Sequence, residues 1–112
     1  VKTQRAKQEL LPGTLDMLVL RVLSGGELHG WGITNRLAVL SQDALQVDEG
    51  SLYPALYRME EKGWIAAEWK TTENNRRAKY YGLTRAGKKQ LETEQENWHS
   101  MSAIIAHVLR SA

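Results

Sequence analysis

The stretch WIAAEWKTTENNRRAKYYGLT, residues 64–84, holds two short alternating arms joined by a polar turn. In the first arm Ile65, Ala67 and Trp69 fall on one side. In the second, Tyr81 and Leu83 share a face and Tyr80 takes the other, as the two-residue period of a strand requires. Between them TTENN supplies turn formers, and asparagine tolerates a positive φ better than most residues. The stretch predicts a two-stranded β-hairpin whose tip carries Arg76 and Arg77, with Lys79 just beyond. Two strands are not stable alone in water, so the hairpin must pack on something else.

Three helical patterns precede it. In GTLDMLVLRVLSGG, residues 13–26, Leu15, Leu18, Val19, Val22 and Leu23 recur at helical spacing; Thr14 is the expected N-cap and Gly25-Gly26 the stop. HGWGITNRLAVLSQ, residues 29–42, predicts a second helix with Ile33, Leu37 and Leu40 buried. Gly30 and Gly32 weaken its first turn but let the backbone approach another surface closely. EGSLYPALYRMEEKG, residues 49–63, predicts a third, with Ser51 as N-cap, Pro54 in the first turn and Gly63 as the stop. Leu52, Leu56 and Met59 face its core, leaving Tyr53, Ala55, Tyr57 and Arg58 off that stripe. Ala6, Leu10 and Leu11 predict a short arm or extra helix ahead of all three.

After the hairpin, residues 84–112 read as one long helix capped by Thr84. Leu91, Trp98, Met101, Ile105, Val108 and Ala112 form a heptad-like seam, which Ile104 and Leu109 widen. The fold class is therefore mainly α with a small β-hairpin: a winged helix-turn-helix plus one long C-terminal helix. Residues 1–83 make the winged domain with its N-terminal arm, and 84–112 the C-terminal helix.

Composition narrows the function. The 112 residues fit one domain. With no cysteine, disulfides and thiolate metal sites are excluded. No apolar run approaches the roughly 20 residues of a membrane span, and VKTQRAKQEL at the N-terminus lacks the apolar core of a secretory signal. The expectation is a soluble cytoplasmic protein. His99 and His107 stand eight residues apart with no partner at i+4, which gives no metal site. Asp16, Asp48, Glu49, Glu60 and Glu61 show no paired-carboxylate pattern. No nucleophile motif or phosphate-binding loop is present, so neither an enzyme nor a cofactor is expected.

The formal net charge is only +2, but it is unevenly spread. Residues 70–89 hold seven cations against Glu73 alone, a net +6, and residues 1–10 add +2, so the remainder carries −6. A basic segment on an acidic body suits a directed contact with a polyanion. In a winged helix-turn-helix the third helix enters the DNA major groove and the hairpin touches the adjacent backbone. Tyr53, Tyr57 and Arg58 would then face DNA from the helix, and Arg76, Arg77 and Lys79 from the wing. An arginine fork donates two hydrogen bonds to a phosphate at once. Ser51 and the first amides of the third helix would hold another phosphate, and the Trp31 indole N–H can donate to one as well.

HGWGI (29–33), GSLYPALYRMEEKGWI (50–65), NNRRAKYYGLT (74–84) and AGKKQL (86–91) together resemble the PadR family of bacterial transcriptional regulators, over roughly residues 10 to 110. The resemblance implies a homodimeric winged-helix repressor with a C-terminal dimerisation helix. It places Tyr53 and Pro54 at the start of the recognition helix and Arg76, Arg77 and Lys79 in the wing. Trp31 stands where family members usually have Tyr, and Met59 and Trp64 replace the more usual Leu. The single C-terminal helix is that of the short-tailed members, some of which bind drugs. Leu91, Trp98, Met101, Ile105 and Val108 are then the dimer interface; Trp98 reads first as an aromatic of the dimer core, with a plate for a planar apolar effector held between subunits as the sharper alternative. The partners implied are a second copy, double-stranded DNA with an inverted repeat, and that effector; no membrane is implied. Winged helices also serve as protein–protein interaction modules, but the basic wing and the third-helix tyrosines favour DNA.

Overall fold

The computed structural model describes residues 13–111. Ala6, Leu10, Leu11, the cations of the first ten residues and Ala112 lie outside that range. The elements run α1 (Thr14–Leu23), β1 (Leu28–His29), α2 (Gly30–Leu40), α3 (Glu49–Glu61), β2 (Ile65–Thr71), β3 (Arg77–Leu83) and α4 (Arg85–Ser111). The predicted hairpin is present, with Ile65 opposite Leu83 and Thr71 opposite Arg77. Asn75 takes the left-handed position at φ 63°. The Arg76 amide donates to Thr72 Oγ1 at 3.2 Å across the turn.

The sheet has three strands in the order β1-β3-β2, not two. β1 pairs antiparallel with β3, Leu28 opposite Tyr81 and His29 opposite Tyr80. Two residues are too few to show alternation, but their pairing satisfies the far edge of β3.

Val19, Leu20, Ile33, Leu52, Leu56, Met59 and Ile65 form the fully buried centre, each large side chain contributing about 1.5–3 kcal/mol by leaving water. Tyr81 and Leu91 close the core from the sheet and from α4. Two apolar assignments change. Ala55 is buried, because α3 packs on a broader face than one stripe. Leu40 is exposed, because it lies in the last turn of α2, beyond the core. Trp69 is also exposed, because its end of the hairpin outruns the helices.

Two caps change as well. Gly13, at φ 87°, occupies the cap position of α1, and Thr14 is the first helical residue. α3 begins one turn earlier than Ser51: Asp48 is the N-cap, and its Oδ1 accepts from the Ser51 amide at 2.9 Å. Thr84 caps α4 as expected, its Oγ1 accepting from the Gly87 amide at 3.0 Å. The same hydroxyl donates to the Gly63 carbonyl at 2.6 Å, tying the start of α4 to the turn that ends α3.

Candidate nucleic-acid interface

The end of β1, the start of α2, the start of α3 and the wing enclose one open groove of about 660 Å³. Trp31, Tyr53, Trp69, Arg76, Arg77 and Lys79 line it. The local sequence explains the arrangement. His29 caps α2 through Nδ1, which accepts from the Gly32 amide at 3.0 Å, and this sets the first turn that projects Trp31. Trp31 is 70% exposed. Gly30 is buried because the Tyr53 hydroxyl lies where its Cβ would be. Only glycine lets α2 and α3 meet that closely.

On the wing, residues 69, 77 and 79 share the face that continues from Ile65, Ala67 and Tyr81, so the inward side of the sheet becomes the groove wall toward the tip. The Arg77 guanidinium lies 5.6 Å from the Trp69 ring centre, a cation–π contact. Lys79 lies 3.6 Å from Glu60 of α3. Among the described residues neither Arg76 nor Arg77 has an acidic partner. Lys70, on the other face, is paired with Glu27, which raises its pKa through that hydrogen bond.

The structure thus brings together Trp31, Tyr53, Arg76, Arg77 and Lys79. Ser51, Pro54 and Tyr57 are exposed on α3 outside the groove lining. The Tyr57 phenol is held above its ordinary pKa, first by a hydrogen bond to Glu61 and then by that carboxylate's charge. Arg58 lies outside the groove lining as well: its Nη2 donates to Asp16 Oδ1 at 2.7 Å, which draws the guanidinium toward α1 while about half of the side chain stays exposed. His29 and Trp69, which the element order does not point to, also line the groove. Strand alternation marked Trp69, but it could not show where the core ends.

Along α4 the seam divides. Leu91 is 5% exposed within this chain's own core, so it is not available to a second copy. Trp98, Met101, Ile104, Ile105, Val108 and Leu109 are exposed. Trp98 and Met101 also line a depression of about 480 Å³ with Gly13, Thr14 and Met17 of the α1 end. Among the described residues no acidic or histidine cluster of three or more could hold a metal ion, and no helix is long and apolar enough to cross a membrane.

Three helices, a small sheet and a basic hairpin tip in this order define a winged helix-turn-helix with an added C-terminal helix. Residues 19–93 match the transcriptional regulator PadR-like family, and the chain belongs to it. A PadR-family transcriptional regulator from Eggerthella lenta superposes with a TM-score of 0.78 at 29% identity, over 89% of this chain and 85% of that one. A PadR-like transcriptional regulator from Bacillus cereus does so with a TM-score of 0.77 at 29% identity, over 91% and 97%. An uncharacterised 37.1 kDa protein in transposon TN4556 of Streptomyces fradiae is 38% identical over 96 residues, 86% of this chain but 25% of that protein.

Proposed function

We propose that this PadR-family regulator is a homodimeric DNA-binding repressor. The observation that carries the DNA reading is the groove itself: Arg76 and Arg77, without an acidic partner among the described residues, the Trp31 indole and Tyr53 of α3 face one space. α3 enters the major groove, and the wing lies on the adjacent backbone. Arg76, Arg77 and Lys79 supply affinity and register by phosphate contact; Tyr53, Pro54 and Tyr57 sit where bases are read. The Ser51 amide is held by Asp48, so Ser51 itself offers a phosphate its hydroxyl.

The exposed apolar stripe from Trp98 to Leu109 supports the dimer, since contiguous apolar surface of this kind marks a contact between proteins. Two copies paired through Trp98, Met101, Ile105 and Val108 present two third helices to an inverted repeat. They act by occluding a promoter. A planar apolar effector at Trp98 releases the complex by favouring a subunit arrangement with the wrong helix spacing.

Selection of bound duplexes from a random pool gives the half-site and its spacing. Titration of the selected duplex at several salt concentrations then tests the interface. The parent should lose affinity steeply with salt, and Arg76→Ala/Arg77→Ala should flatten the log–log slope by about two while weakening all duplexes alike. A double variant that binds as the parent does would remove the wing from the interface, and salt-insensitive binding would point to a protein partner instead.

A further inference from the structure

We infer that Asp16 is a positioning residue for the recognition helix, acting through Arg58. The inference rests on the reading of α3 as the helix that meets DNA. Asp16 is the buried charged residue among those described, 8% exposed in the first turn of α1. Burying a carboxylate is costly unless it is paired, and here the pairing is specific: Arg58 Nη2 lies 2.7 Å from Oδ1, from a residue 42 positions away in the chain. The pair joins α1 to the last turn of α3.

The opposite flank of α3 is tied too. Glu60 lies 3.6 Å from Lys79 of the wing. Two positions along a helix are about 160° apart when viewed down the axis. Arg58 and Glu60 therefore hold α3 from nearly opposite sides, one to α1 and one to β3. Apolar packing of Leu52, Leu56 and Met59 fixes the depth of the helix in the core. Packing of this kind, with the Tyr53 hydroxyl closed against Gly30, resists rolling in the first half of the helix. The two lateral ion pairs add restraint in its last turn, where a roll that shortens one lengthens the other. The Arg58–Asp16 pair is the closer of the two and holds the more buried carboxylate, 11% exposed against 35% for Glu60, so it dominates the roll at this end of α3. The roll in turn decides where Tyr57, next to Arg58, points. A shift of about 1 Å at a base edge is enough to lose a directional hydrogen bond.

This assigns Asp16 a role in sequence discrimination although it lies away from the groove. The alternative is that the pair only stabilises the fold. The two make different predictions for Asp16→Asn, which keeps the shape and removes the charge. With a positioning role, the folded variant should bind the selected duplex about tenfold more weakly, the order of losing one base contact. Its affinity for unrelated duplex and its salt slope should stay within about twofold of the parent, because no phosphate contact is touched. Arg58→Met should do the same, and Asp16→Asn/Arg58→Met should lose no more than either alone, because the members of one pair are not additive. Amide hydrogen exchange without DNA is a second readout: α3 should open faster in Asp16→Asn while α2 stays as in the parent. A lower melting temperature with the parent's duplex selectivity and α3 exchange would overturn the inference and leave the DNA reading intact. A parent protein that binds no duplex would overturn both.

Discussion

The two ends of α4 carry the same kind of apolar residue and meet opposite fates. At the start of the helix Gly87 and Leu91 are sealed in the core, and Thr84 is bonded to the turn after α3. From Trp98 onward the same side of the same helix is open. A heptad seam specifies a face but not the partner that covers it. The first two turns of α4 therefore belong to the winged domain, and only the distal stripe remains for assembly. Mutations at the proximal end should break the protomer, and mutations at the distal end should break only the association.

The largest effect on the protomer itself is expected at Gly87. A Cβ there would be driven into the Trp64 carbonyl oxygen and to 2.8 Å from Leu83 Cδ1. The carbonyl is backbone, held by the Thr84 amide and hydroxyl at 3.0 Å each, so it yields far less easily than the Leu83 side chain. Gly87→Ala should cost about 3 kcal/mol or more, a large part of a small domain's stability. A denaturant midpoint equal to the parent's would show that α4 does not seat on the sheet as described.

Ile105→Glu probes the other end. Ile105 is 50% exposed in the protomer, so a carboxylate there adds little strain to one chain. In a dimer it would place a charge from each copy in an apolar seam, at several kcal/mol per ion. The dimer dissociation constant should rise on the order of a thousandfold or more, while the thermal transition of the isolated chain stays near the parent's. Sedimentation equilibrium measures the first and calorimetry the second. An unaffected dimer would move the subunit contact to another surface.

This contrast also shows what the residue pattern carries and what it does not. The helical stripes were readable because a 3.6-residue period repeats over ten or more positions, and Leu52, Leu56 and Met59 all lie buried. The hairpin was readable because two alternating arms flank Asn75. β1 was not, since two residues have no period. At α3, Asp48 and Ser51 are both capping residues three apart, and only the chain path decides that Asp48 takes the role. Leu91 and Leu40 show that periodicity cannot tell a covered face from an open one. In the groove, Tyr53 and the wing cations could be placed from the order of elements, and Trp31 only with the family resemblance. Arg58 could not, because its partner Asp16 is distant in sequence and no spacing rule links them.

The smallest structural effect is expected from Trp98→Ala, and it bears on whether the distal stripe does more than assemble. The depression beside Trp98 is about 480 Å³, within the size of small-molecule sites, but one chain leaves it open. If a second α4 supplies the missing wall, a planar aromatic compound should quench tryptophan fluorescence saturably in the parent. Trp98→Ala should lose that saturable component, although Trp31 and Trp69 stay exposed, and should keep the parent's melting temperature within a few degrees. Quenching that survives places the compound elsewhere, with the Trp31–Trp69 groove as the first alternative. Ile105→Glu adds a second condition. Its monomers retain Trp98 but lack the opposing wall, so they too should lose the saturable component. Quenching that persists in those monomers, and vanishes only in Trp98→Ala, would assign the site to one chain: the floor formed by Met17 and Met101 would suffice, and the effector would have no reason to sense helix spacing.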